Sequence, residues 1–459
     1  MSGVTIAAIS TPPGQGGVAV VRLSGPDAKR IAAAVFWPAG GRRVEDMRGY
    51  TCLYGRVVDA DGPVDDAVLT WFAAPHSYTG EDVAELSCHG GRYLPARVLA
   101  AVLAAGATGA MAGEFTRRAF ENGKLSLTQA ESVMDLIGAE GALAARAALA
   151  ARDGALFRAL RPVSASLLSL AAHFAAYIDF PEEDVPALEP VALRAALTDA
   201  KRALDRLLAT AHRGRLLRQG IATAIVGRPN VGKSSLMNLL AGCRRSLVTP
   251  IAGTTRDVVE EYVSYDGLVL RLADTAGIRE TDDCIEREGV ELAEQRLRES
   301  DLVLAVFDLS EPLTVADRRV LRACADVSRE TPVVAVLNKS DLRQALRPED
   351  LDGRFTRSVV LSAQEGTGLD ALWEAVRAAV DLAALDPSAA LLANDRQKKA
   401  AAAAAAALDD ALTALDEGWT LDAVSVSVDD ALDALLALTG ERVSDEVVDT
   451  VFAQFCVGK

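Results

Sequence analysis

Over roughly the first 120 residues, short Val-rich runs alternate with Gly and Pro breaks. "GGVAVVRLSG" and "DDAVLTWFAAP" are examples, and both predict strands bounded by turns. From about Leu125 the pattern changes. In "LTQAESVMDLIGAEGALAARAALAARDGALFRAL" and "EPVALRAALTDAKRALDRLLATAHRGRLL" apolar residues recur every three or four positions with charges between them, which is the helical period. At Gly220 strands begin to alternate with helices, and after about Leu385 the helical period returns. The alanine run at 400–407 reads as helix, alanine being the best helix former. The pattern predicts a multidomain chain: an N-terminal α/β domain over 1–120, a helical domain split into 121–217 and 385–459, and an α/β domain inserted over 218–384.

Composition narrows this picture. A chain of 459 residues exceeds what one core supports. Half its residues are apolar and only 5% aromatic, which favours helices and α/β units over a sandwich. No apolar stretch is expected to span a bilayer, and no signal peptide is read at the start. Six cysteines without a CxxC pair and four histidines suggest neither a disulfide framework nor a zinc site. The expected setting is the reducing cytoplasm. A net charge of −16 argues against general nucleic-acid binding by the surface, which needs clustered Lys and Arg. A local basic patch or a basic partner stays compatible with it.

Candidate chemistry concentrates in the inserted domain. "IATAIVGRPNVGKSSLMNLLAG" is a strand, a glycine-rich turn and a helix, with G-x-x-x-x-G-K-S at Gly227, Gly232, Lys233 and Ser234. Glycines let backbone N–H groups wrap a phosphate at the helix N-terminus. Lys233 would reach the β- and γ-phosphates and Ser234 would hold Mg²⁺. "RLADTAG" ends an apolar strand in Asp274, which can bind Mg²⁺ through water, and the Gly277 N–H can meet the γ-phosphate. "PVVAVLNKSD" sets Asn338, Lys339 and Asp341 at a strand tip, where a carboxylate can accept from guanine N1–H and the 2-amino group. Adenine lacks that pattern, and a mispaired buried carboxylate costs about 1–3 kcal/mol or more. "LSAQEG" supplies Ser362 and Ala363 for a last base-contacting loop. Four motifs in order, each following a strand, identify a GTP-binding domain. Val231, Ser235, Thr275 and Ala276 complete the expected nucleotide-contacting set inside these motifs.

Some details bear on mechanism. After "DTAG" stands Ile278, not the glutamine that positions water in Ras-like switches, so another group must act. "DDCIEREG" offers Glu286 among several acids. Asn230, inside the phosphate loop, could coordinate a monovalent cation beside the β/γ-bridge. "TPIAGTTRD" has the Gly and Thr of a loop that closes on the γ-phosphate, with Thr255 as a second Mg²⁺ ligand. A cation at that place substitutes for an arginine finger, worth roughly 10³–10⁵ in rate. Arg256 or Arg279 from a partner subunit is the rival source of charge.

With these motifs the chain resembles the MnmE (TrmE) family of tRNA-modifying GTPases over nearly its whole length. Outside the nucleotide motifs the resemblance lies in "TPPGQGGVAVVRLSG", "APHSYTGEDVAEL", "CHGG", "GEFTRRAFENGKLSLTQAE", "IDFPEED", "TPIAGTTRDV", "IEREGVE" and the terminal "FCVGK". It implies an N-terminal domain similar to folate-binding domains of aminomethyltransferases, a homodimer formed through that domain, and GTPase domains that meet across the nucleotides in a potassium-dependent way. It implies an FAD-containing MnmG-type partner in a heterotetramer or larger complex. The implied reaction modifies C5 of the wobble uridine of certain tRNAs, with a tetrahydrofolate derivative (5-formyl or 5,10-methylene form) supplying one carbon. Carried over by position, the potassium ligands fall on Asn230, Thr249, Ile251 and Thr254, and Glu286 takes the role of the acid that orients water. Folate contacts fall on Arg22, Glu85, Lys124 and Lys459, and Cys456 lies where the one-carbon unit is handled. The resemblance also folds the C-terminus back toward the folate pocket, with Phe452 and Phe455 packing. Cys88 and Val457 are slight departures from the family pattern, and His89 reads as a structural turn residue. The competing reading is a ribosome-assembly switch resembling Era, but that class carries a basic RNA-binding unit with a GxxG loop. The acidic Ala/Leu-rich C-terminal segment has no such loop.

Overall fold

A computed structural model of the protein describes residues 3–179, 189–242, 261–272, 297, 299–328, 331–351, 355, 357–382 and 385–459. The chain divides into two compact units, Met1–Met134 with Leu436–Lys459, and Asp135–Leu435.

The first unit is built on a seven-stranded sheet of order β3-β4-β5-β6-β2-β1-β7. Its elements are β1 (Ile6–Ile9), β2 (Val18–Ser24), α1 (Ala28–Val35), β3 (Phe36–Pro38), β4 (Thr51–Asp59), β5 (Gly62–Phe72), β6 (Val83–His89), α2 (Tyr93–Ala104), β7 (Thr108–Gly109), α3 (Glu114–Glu121) and the start of α4 (Leu127–Ile137). Alternation in β2 turns Val21 and Leu23 to one face, where they join Leu69, Leu86, Ile31 of α1 and Val98 and Val102 of α2 in one core. Each such side chain contributes about 1.5–3 kcal/mol on burial. The same alternation puts Arg22 on the opposite face, and the antiparallel register sets it directly beside Glu85 of β6.

The second unit opens with helices α5 (Ala142–Arg152), α6 (Ala155–Asp179), α7 (Pro190–Leu208) and α8 (Ala211–Gln219). Helix α6 corrects one expectation. Its stretch Ala155–Ile178 meets the length and hydropathy of a bilayer span, with a mean hydropathy of 1.2, although only a third of that window is buried. Leu156, Leu160, Val163, Leu167, Leu170 and Phe174 are among its buried residues, spaced as the stripe of a helix packed against protein. Averaged hydropathy and this periodic burial describe the same residues, and the period is the more specific signal.

A six-stranded sheet follows, of order β13-β12-β11-β8-β10-β9. Its elements are β8 (Ile221–Val226), α9 (Lys233–Gly242), β9 (Glu261–Tyr265), β10 (Leu268–Leu272), β11 (Leu302–Asp308), α10 (Val315–Val327), β12 (Val333–Asn338), β13 (Arg357–Val360) and α11 (Leu369–Ala379). Strands β8, β10, β11, β12 and β13 pair in parallel, and β9 alone runs antiparallel. Both β11 and β12 are buried along their whole length, the mark of strands covered on two faces. Strand β8 lies between β10 and β11, and from it the strand order runs both ways. Such switch points hold ligands at the carboxyl ends of strands.

Helix α12 (Asp395–Asp416) contains the alanine run. It packs on α7, and the pairs Arg194–Asp416 and Lys201–Asp409 make the two antiparallel. Ala401, Ala404, Ala405 and Ala411 are buried, and their small side chains let the helices approach closely. After α13 (Leu421–Thr439), α14 (Asp445–Phe452) belongs to the first unit and leads into the tail. Phe452 and Phe455 are buried in a cluster with Leu127, Ala130 and Val448.

Candidate functional site

Strand β8 delivers the chain into the glycine-rich loop. A Cβ on Gly227 would stand 2.5 Å from the Val306 carbonyl oxygen. Gly232 has φ +98, and a Cβ there would meet Asn338 Nδ2 at 2.1 Å. Asn230 takes a left-handed φ of 65, a conformation in which asparagine is enriched among non-glycine residues. Val231 is fully buried in the sheet core and anchors the loop between them. Ser234 and Ser235 follow as exposed residues of the first turn of α9, where backbone N–H groups lack helical partners. Lys233 Nζ donates to the carbonyls of Gly227 and Arg228, both at 2.8 Å. Burial, and secondly the like charge of Arg228, lower the pKa of Lys233. A phosphate would favour its charged form and oppose both.

The residues of the "NKSD" strand tip are tied to that loop through Asn338. Its side chain is 2% exposed; Nδ2 donates to the Val231 carbonyl at 2.9 Å, and Oδ1 accepts from the Ala363 amide at 2.9 Å. One amide therefore fixes the spacing of three loops. The Ser362 hydroxyl donates to Asp341 Oδ1 at 2.5 Å and steadies an exposed carboxylate. Ser362 is itself buried and bridged to Thr367. Lys339 has φ 65 and its ammonium donates to Asp308. The phosphate loop, Asn338, Asp341, Ser362 and Ala363 are thus brought together by these bonds, with Lys339 beside them on Asp308.

Thr249, Ile251, Thr254, Thr255, Asp274, Thr275, Ala276, Gly277 and Glu286 lie outside the described residues, as do Arg256 and Arg279. Two residues that sequence reading did not single out, Arg228 and Asp308, stand in the assembled group. The only signal was an acid closing the strand "LVLAVFD", and its partners are not adjacent in sequence.

A second group forms in the first unit. Arg22 Nε donates to Glu85 at 2.8 Å, and the guanidinium lies 5.6 Å from the ring centres of both Tyr78 and Phe115. The tail arrives at the start of α3. The Gly113 amide donates to the Cys456 carbonyl at 3.3 Å, and the Phe115 amide to the Lys459 carbonyl at 3.2 Å. Val457 bridges Ala112. Gly458 has φ +97, and a Cβ there would stand 2.4 Å from the Ile9 carbonyl. Phe115 therefore links Arg22 and Glu85, through its ring, to Lys459, through its amide. Lys124 Nζ donates to the Pro75 carbonyl at 3.1 Å, at the near end of the loop that also carries Tyr78. Cys456 is exposed. His89 is the last residue of β6, and its ring is hydrogen-bonded to Asp65 at 2.8 Å. The Arg22–Glu85 pair is partly exposed, 17% and 23%, and offers donor and acceptor groups to the edge of a ligand, whereas Phe115 is fully buried and supports the guanidinium from within the core.

Residues 5–124 match the family described as GTP-binding protein TrmE N-terminus, and residues 127–456 match that described as MnmE helical domain. A tRNA modification GTPase MnmE from Heliobacterium modesticaldum is 43% identical, over 100% of this chain and 100% of its own. Its counterpart from Geobacillus thermodenitrificans is 41% identical, over 99% of each. Among solved structures, Era from Aquifex aeolicus bound to GDP·AlF4⁻ is 28% identical over 41% of this chain and 66% of its own, with a TM-score of 0.27. That score is too low to support a geometric comparison.

Proposed function

Because the chain belongs to the MnmE family of tRNA modification GTPases and is a GTP hydrolase, we propose that it works as a potassium-dependent, Mg²⁺-requiring homodimer. With an FAD-containing partner of the MnmG type it modifies C5 of the wobble uridine of certain tRNAs, in the cytoplasm. The inserted domain over 218–384 binds GTP. Ser234 and Thr255 would hold Mg²⁺, with Asp274 acting through water. Asn230, Thr249, Ile251 and Thr254 would hold potassium, which when bound supplies positive charge beside the β/γ-bridge. Lys233 leaves the carbonyls of Gly227 and Arg228 for the phosphates, and Asp341 accepts the guanine N1–H and 2-amino hydrogens. Glu286 orients the attacking water. Closure of the Thr249–Asp257 loop brings two GTPase domains face to face, and hydrolysis reverses it.

The tetrahydrofolate derivative supplies the one-carbon unit from a site formed by Arg22, Glu85, Lys124 and Lys459. Glu85 accepts from a pterin, the cations receive the carboxylates of the glutamate tail, and Cys456 stands by the site where that carbon is handled. The observation that supports this reading most is the docking of the 452–459 tail on the Phe115 amide, next to the Arg22–Glu85 pair whose guanidinium contacts the Phe115 ring. Equilibrium binding of 5-formyltetrahydrofolate to the full chain tests it. Glu85→Ala should weaken binding by about 10-fold or more, the loss of one charge-assisted pair. Wild-type affinity in that variant removes the site from this pair.

A further inference from the structure

Asp308 closes β11, and the parallel register sets it beside Asn338, the last residue of β12. Its side chain is 1% exposed. A carboxylate at that depth is costly unless it is paired and hydrogen-bonded. Ser310 donates to it twice, from its amide at 2.9 Å and its hydroxyl at 2.5 Å, and the Lys339 ammonium is its ion partner. The Arg228 guanidinium stands 3.9 Å away, held in turn by Glu311 at 2.6 Å and Asp317 at 3.2 Å. Arg228 is the second residue of the phosphate loop, and its own carbonyl receives Lys233. Lys339 lies between Asn338 and Asp341 in the base-reading loop. One buried carboxylate therefore touches the base-reading loop directly and faces the phosphate loop through Arg228. A buried ion pair is a poor source of net stability but a good source of fixed geometry, and geometry fixed before binding lowers the ordering cost that a ligand meets.

We propose that Asp308 is a positioning residue for guanine-nucleotide binding: its carboxylate fixes Lys339 and the Arg228 end of the phosphate loop in one arrangement before nucleotide arrives. This rests on the reading of the chain as a GTPase, and saturable binding of a fluorescent GDP by the wild-type full chain secures that reading before any variant is compared. Asp308→Asn should then weaken GDP binding by about 30-fold and raise KM for GTP alike, with kcat within about 3-fold. Because Lys339 is the direct ion partner and Arg228 stands farther off at 3.9 Å, the residue acts mainly through Lys339, and Asp308→Asn in a Lys339→Met background should cost no more than about 3-fold further. Ser310→Ala, which removes one donor from the carboxylate and leaves the core intact, should weaken GDP binding by about 3- to 5-fold with an unchanged melting temperature without nucleotide. Wild-type affinity in Asp308→Asn or in Ser310→Ala overturns the proposal. So does the same 30-fold loss in the Lys339→Met background, since the two residues would then act independently.

Discussion

In the six-stranded sheet, the residues proposed to meet nucleotide come in short contiguous runs, and a side chain locks the runs together: Asn338 joins three loops by two hydrogen bonds. In the seven-stranded sheet the second group is gathered from Arg22, Glu85, Phe115 and the last residues of the chain, and backbone bonds from Gly113 and Phe115 hold the tail. The first site is encoded in side-chain identity, the second in backbone geometry. Glycines are decisive in both, for different reasons. Gly232 leaves room for a side chain, Asn338; Gly458 leaves room for a carbonyl, that of Ile9.

The sharpest way to break the comparison is Gly232→Ala. With φ +98 and only 2.1 Å to Asn338 Nδ2, the new methyl must displace the amide that spaces the loops. GDP affinity should fall by about 100-fold or more, ~3 kcal/mol, in the same fluorescence titration. Gly458→Ala is the counterpart at the tail. Its methyl meets backbone at 2.4 Å, so the tail should detach, and hydrogen exchange at the Gly113 and Phe115 amides should accelerate by about 10-fold or more. Unchanged exchange would mean that the phenylalanines alone hold the tail.

Two smaller effects sharpen the side-chain half. Thr314 and Asp317 form a reciprocal capping box at the start of α10, beside Arg228. Thr314→Ala should cost about 1 kcal/mol of stability, read from the urea midpoint. For Asp308, burial pushes the pKa up, but the hydrogen bonds from Lys339 and Ser310 outweigh it and hold the carboxyl below its ordinary 3.8. A depressed carboxyl stabilises the fold above its unfolded value and loses that contribution as pH falls through its folded one. The melting-temperature gap between wild type and Asp308→Asn should therefore be full well above pH 3.8 and close in stronger acid. A gap that widens in acid would contradict the ion pair.

The difference between the regions also explains what could be read from the chain. "GRPNVGKS" and "NKSD" are contiguous, and each needs only its own strand and turn to place its chemistry, so Asn230, Lys233, Asn338 and Asp341 were legible. Asp308 was not, because its role comes from the register that sets β11 beside β12, a fact of pairing rather than of local sequence. The tail was half legible. The family resemblance implied a packed end at Phe452 and Phe455, while Gly113 and Phe115 receive it through backbone amides, which any residue but proline carries. The family resemblance, not spacing, pointed to Arg22 and Glu85, and the cross-strand register accounts for their meeting. Helix α6 escaped the search for an apolar stretch because its apolar residues are interrupted by polar ones, and only the continuous helix Ala155–Ile178 brings its length and mean hydropathy together.

A potassium ion held by Asn230 and the 249–257 loop is proposed to supply the charge that speeds hydrolysis. GTP turnover by the full chain in KCl and in NaCl at equal ionic strength, beside Asn230→Ala, tests it most directly. The expected result is a potassium-specific acceleration of about 10-fold or more, lost in the variant. Equal rates in the two salts would contradict it and move the source of that charge to Arg256 or Arg279 of a second subunit.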